Sequence, residues 1–178
     1  VVKQLIEEAH RLISEKQYAE AASLFERLTG CLNDAQSKAV AIANVGVCHG
    51  YMGNDDEALS YFSAAIKCCP SCALAFFNRG VIYERNGAID RAIHDYDRAI
   101  KADPDAHEAY VNKGICLEKK GLVQDAVEPL TKAAKLVPQN PNFQKNVGIV
   151  YLMTGDSEKA IPYFVREIRL RKGNKYSW

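Results

Sequence analysis

The chain has 178 residues, is 48 % apolar and carries a formal charge of +1. So near a balance argues against a nucleic-acid-binding face, which needs a basic excess. No apolar run approaches the ~18 residues of a membrane span, so no membrane insertion is expected. The start, Val1-Val2-Lys3-Gln4, has neither an initiator Met nor a signal-peptide pattern, which suggests an excised segment of a longer protein. Six cysteines (Cys31, Cys48, Cys68, Cys69, Cys72 and Cys116) stand in a chain long enough to fold by burial. Two of them fall on inner helix faces, so they are read as free thiols in a reducing, cytoplasmic setting.

Taken in chain order, the elements repeat. The first unit is the weakest copy: Ala9 holds a small position, Ala21 a second small position and Phe25 a large apolar one. In the four that follow, Gly46, Gly80, Gly114 and Gly148 lie 34 residues apart. Seven residues after each stands a second glycine: Gly53, Gly87, Gly121 and Gly155. Twelve after each stands an alanine (Ala58, Ala92, Ala126, Ala160), and four further a large apolar residue (Phe62, Tyr96, Leu130, Phe164). Pro70, Pro104 and Pro138 follow the first three glycines at 24 residues. Small residues let two helices approach, and the large one fills the space between layers. The second glycine turns the chain, and the proline stops the second helix. Apolar residues recur three or four apart, as in Ala92, Ile93, Tyr96, Ala99 and Ile100, and no segment alternates as a strand does. Ala9 precedes Gly46 by 37 residues, so three extra residues are expected near Gly30–Lys38, where Thr29-Gly30 and Asn33-Asp34 are turn-prone. Pro129 and Pro162 sit inside second helices and are expected to kink or strain them.

This register resembles the tetratricopeptide repeat signature of W-x2-L-G-x2-Y, A-x3-F and P. Phe76-Phe77-Asn78-Arg79-Gly80-Val81-Ile82-Tyr83 is similar to its first half, completed by Ala92, Tyr96 and Pro104. The Trp position holds Ile42, Phe76, Tyr110 and Gln144, and the Tyr position holds His49 and Leu117 in two copies. The resemblance implies an all-α, right-handed superhelical solenoid of antiparallel helix pairs. It gives one array: repeat 1 over 2–35, repeat 2 over 39–72, repeat 3 over 73–106, repeat 4 over 107–140 and repeat 5 over 141–174. The same frame puts Trp178, the only tryptophan, on the Trp position of a further or capping helix starting at 175.

The resemblance also implies a concave groove lined by first helices. Position 6 of repeats 2 to 5 reads Asn44, Asn78, Asn112 and Asn146. An asparagine offers both donor and acceptor, so such a ladder could hold the backbone of an extended peptide. It is similar to the ladder in the repeats of O-linked N-acetylglucosamine transferase. The plainer reading is local helix packing. Beside the ladder, Phe77, Val81, Val111 and Ile115 form an apolar stripe edged by Tyr51, Arg85 and Lys119. The Lys and Arg of the clamp with which chaperone-binding members hold a terminal carboxylate are replaced by Ile6 and His10, or by Phe77 and Val81, so heat-shock chaperone tails are not the expected partner.

Cys69-Pro70-Ser71-Cys72 has redox or metal spacing, but no strand precedes it and no second such pair exists, so it reads as an inter-repeat turn. His10, His49, His94 and His107 are scattered; in His94-Asp95-Tyr96-Asp97, Tyr96 is a core mark, so its neighbours are expected to face solvent. No catalytic, metal or cofactor site is expected. The basic run Arg166, Arg169, Arg171, Lys172 and Lys175 complements a helix C-terminus. The leading expectation is an adaptor binding a peptide or protein in its groove. The alternatives are a self-assembling or structural subunit, open to homo-oligomers, and the targeting domain of a larger enzyme.

Overall fold

The structure, a computed structural model, describes residues 2–173. Trp178 and the expected helix from 175 lie outside the described residues. Among the described residues the regular elements are ten α-helices and no strand. They run α1 (Val2–Ser14), α2 (Tyr18–Cys31), α3 (Ala35–Tyr51), α4 (Asp55–Cys68), α5 (Ala73–Arg85), α6 (Ile89–Ala102), α7 (His107–Lys119), α8 (Val123–Leu136), α9 (Pro141–Met153) and α10 (Ser157–Gly173). The chain divides into two compact units, Val1–Ala102 and Asp103–Trp178. In the first unit each of α1 to α6 packs on its chain neighbours, and α3 also packs on α5. In the second, α7 to α10 pack in succession.

The spaced marks act as physical parts. A Cβ added at Gly46 would lie 2.8 Å from the Phe62 ring, at Gly80 2.9 Å from Tyr96, at Gly114 2.5 Å from Leu130, and at Gly148 2.7 Å from Phe164. Each of these four glycines is therefore the seat of the large residue of its second helix. In the first pair Ala9, fully buried, lies in one core cluster with Phe25. The turns inside the last four pairs place Gly53, Gly87, Gly121 and Gly155 at φ between 76° and 83°. The first pair uses Lys16 there, at φ 60°, a left-handed conformation that costs a side-chain-bearing residue energy.

The three extra residues of the first junction do not form a longer loop. The connector between α2 and α3 is 32–34, shorter than 69–72, 103–106 and 137–140. The added length instead starts α3 a turn early, giving it 17 residues where α5, α7 and α9 have 13. Gly30, expected in a turn, lies within α2. Asp34 drives this early start: its carboxylate accepts from the Ser37 N–H at 2.7 Å, a side-chain cap on the first turn. Pro129 and Pro162 lie within α8 and α10, each of which stays one helix.

Candidate functional site

In the first unit α3 and α5 enclose a hollow of about 310 Å³. Phe62 and Ile82 line its floor; Tyr51, Phe77, Asn78, Val81 and Arg85 stand around it. The Asn78 side chain donates to the Leu74 carbonyl of its own helix at 2.8 Å, which orients the amide. Its oxygen and second N–H have no partner among the described residues. Tyr51 is 61 % exposed and stacks on Tyr18, with ring centroids 5.0 Å apart. Arg85 pairs with Asp55 of α4, so its charge is already engaged.

A second hollow, about 390 Å³, opens between α1, α2 and α3. Ile6, Phe25, Leu28 and Leu32 make it apolar, while His10, Gln36, Ser37 and Asn44 supply polar edges. Gln36 and Ser37 belong to the extra turn of α3, so the longer first junction builds one wall of this cleft. In the second unit, Asn112, Asn146 and Ile115 are half-buried and Lys119 is exposed. Val111 is only 8 % exposed and serves the core rather than an open surface.

A tetratricopeptide repeat family model matches residues 49–95 and 86–141, together just over half of the chain. The chain belongs to the tetratricopeptide repeat family. No curated protein matches it. Solved structures share the fold at low identity. BtubC (BKLC) from P. vanneervenii is 19 % identical, covers 99 % of this chain and 82 % of its own, and superposes with a TM-score of 0.82. MamA from Desulfovibrio magneticus RS-1, residues 41 to the end, is 17 % identical, covers 97 % and 96 %, and has a TM-score of 0.75. Another MamA crystal structure is 18 % identical, covers 94 % and 97 %, and has a TM-score of 0.77.

Within this repeat family the signature places leucine just before the first glycine. Here that position reads Val45, Arg79, Lys113 and Val147. The charge at Arg79 is met by a residue whose burial sequence reasoning missed. Asp95, expected to face solvent beside Tyr96, is 1 % exposed and accepts from Arg79 Nε at 2.6 Å and Nη2 at 2.9 Å. The reason is geometric: Asp95 lies on the side of α6 that faces α5, where the guanidinium needs a counter-charge. Arg79 Nη1 also reaches Ser63 Oγ at 3.2 Å, and its guanidinium lies over the Phe76 and Tyr83 rings. Arg98 covers Phe76 and Arg91 covers Tyr83, so three cations alternate with two rings along α5 and α6. The only sequence signal was a charge on a leucine position.

A polar residue on another signature position is likewise buried with partners. Gln144, on a Trp position, is 1 % exposed, and its amide donates to the Pro138 carbonyl at 3.1 Å and the Ala134 carbonyl at 3.4 Å. Cys69 and Cys72 bracket the turn between α4 and α5. Cys69 Sγ donates to Gln36 Oε1 at 2.8 Å. Cys72 is fully buried, a third inner thiol besides Cys48 and Cys116, and burial pushes its pKa up. Burial likewise raises Cys48 to about 11. A thiol held protonated is a poor nucleophile. Among the described residues no group of three or more His, Cys, Asp or Glu side chains is placed to hold a metal ion. No helix among them is long and apolar enough to cross a membrane.

Proposed function

We propose that this protein is an adaptor that holds an extended peptide segment of a partner protein along the hollows of α1, α3 and α5. The repeat fold supports a protein-interaction scaffold in general. The observation that carries the finer reading is the hollow between α3 and α5. It combines an apolar floor with an oriented amide, Asn78, whose acceptor is unspent. An apolar anchor of the peptide fills the hollow, and its backbone N–H donates to the Asn78 oxygen. Asn44, without a hydrogen-bond partner among the described residues, edges the neighbouring hollow and offers the same chemistry. Tyr51 supplies an exposed ring at the rim.

The test is capture from native lysate by the wild-type chain and by Asn44→Ala/Asn78→Ala, with bound proteins identified and their peptides titrated. Each lost hydrogen bond contributes roughly 0.5–1.5 kcal/mol, so the double variant weakens peptide binding about tenfold. Its melting temperature stays close to wild type, since neither amide joins two helices. Unchanged affinity in the double variant would sink the proposal.

A further inference from the structure

Exposed large hydrophobic residues are not spread evenly over this molecule. Of those on the described surface, Ile149, Leu152, Met153, Ile161, Val165 and Ile168 all lie on α9 and α10. On α10 they form a line. Ile161, Val165 and Ile168 are 59 %, 40 % and 48 % exposed and are spaced by four and three residues. One step beyond at each end, at the same alternating spacing, stand exposed Glu158 and Lys172. Glu158-Ile161-Val165-Ile168-Lys172 is thus a single stripe on one side of the helix, the pattern of a two-helix seam. The residues that hold α10 to its own unit, Ala160 and Phe164 among them, lie on a different side.

We infer that this stripe pairs with the same stripe of a second copy, the two α10 helices running antiparallel about a two-fold axis at Val165. The stripe is complementary to itself only in that direction. Reversal about Val165 sets Glu158 opposite Lys172 of the second copy, and Lys172 opposite its Glu158. Ile168 of the second copy falls beside Ile161 and Pro162. There a hollow of about 450 Å³, lined by Ile161, Pro162, Val165, Arg166 and Arg169, receives it. Arg169 and its symmetry mate stand eight residues apart along the pair. That is about 12 Å at helical rise, beyond the screening length at physiological salt. Arg166 lies about 100° round the helix from Val165 and forms the far edge of that hollow. Contact with α1 of a second copy fails on chemistry. Apart from Ile6, which belongs to the peptide hollow, the exposed side of α1 carries ion pairs, Lys3–Glu7 and Arg11–Glu8, with Arg11 also reaching Glu15 just past the helix end. It would leave the isoleucines uncovered. An isologous contact buries them and closes after two copies. The surface uses none of the residues of the peptide hollows, so it stands or falls apart from them.

The experiment is sedimentation velocity on the full 178-residue chain from about 1 to 200 µM, with circular dichroism to check folding. Wild type is expected to form a reversible dimer. Val165→Glu places two like charges at the axis and is expected to give a monomer. Because that variant also changes an apolar residue within a helix, the charge pair supplies an independent arm. Glu158→Lys alone and Lys172→Glu alone each set like charges opposite one another, weakening the dimer about tenfold. An equimolar mixture of the two single variants restores opposite charges at both ends and is expected to dimerise as wild type does. So is the double variant Glu158→Lys/Lys172→Glu. A wild-type chain that stays monomeric throughout overturns the inference. A dimer indifferent to the single charge changes, or one that neither mixing nor the double variant restores, also overturns it.

Discussion

Asp95→Ala tests whether the charged pair in the third helix pair behaves as a buried contact. The change leaves the Arg79 guanidinium without the carboxylate that takes hydrogen bonds at 2.6 and 2.9 Å. Breaking a buried pair from one side costs about 3–5 kcal/mol, because a charge remains in the interior without its partner. Three features reduce that cost here. The Arg79 side chain keeps 18 % exposure, Ser63 accepts one N–H, and two aromatic rings face the cation. The expected loss is therefore about 2–3 kcal/mol, which for a chain of this size lowers the melting temperature by roughly 5–10 °C. Removing both charges tells a different story. Arg79→Leu/Asp95→Leu restores the leucine of the repeat signature and leaves no orphan, so it is expected to lie within about 1 kcal/mol of wild type. The assay is urea unfolding followed by far-ultraviolet circular dichroism, comparing midpoints at constant slope. A loss under about 1 kcal/mol for Asp95→Ala would refute the reasoning. So would a double variant as damaged as the single changes added together.

Three further outcomes follow from the same structure. Gly114→Ala gains about 1 kcal/mol of helix propensity but drives a methyl to 2.5 Å from Leu130, an overpacking cost of about 1–3 kcal/mol; thermal unfolding is expected to show net destabilisation, and in a double-mutant cycle the same glycine change made in the Leu130→Ala background is expected to lose that cost and become neutral or stabilising. Lys16→Gly removes the strain at φ 60° and matches the four glycine turns, so a rise of about 1 kcal/mol is expected, read as a melting temperature higher by a few degrees; no rise would mean that the turn is not strained. Burial raises the pKa of Glu118, so the folded state favours its protonated form. That contribution is complete below the unfolded pKa and is lost as pH rises through the folded one. Glu118→Gln is therefore expected to stabilise the chain at neutral pH and to make little difference near about pH 4, and denaturation midpoints equal at the two pH values would contradict this.

How much of this was legible in the chain can be argued residue by residue. The helix pairs, the glycine seats for Phe62, Tyr96, Leu130 and Phe164, and the left-handed turns at Gly53 to Gly155 were all readable. Every copy solves the same steric problem with the same residue size at the same spacing, so repetition turns weak local signals into a clear register. Five of the expected groove residues, Tyr51, Phe77, Asn78, Val81 and Arg85, surround one hollow. Their position in the repeat carried that information. The repeat could not tell that Val111 is buried, or that Arg85 is already paired with Asp55. Those depend on which side chain stands across the gap in one particular copy.

The sequence by itself determined the repeat unit, its length and the seats of its large residues, because these follow from size and period along one chain. Only the tertiary structure decided the fate of what departs from the period. The three extra residues became a turn of α3 once Asp34 capped its first turn. Asp95 went inside because Arg79 stood across from it. The isoleucines of α10 remained outside because nothing among the described residues covers them. Each outcome was set by a partner distant in sequence, and periodicity carries no record of such a partner.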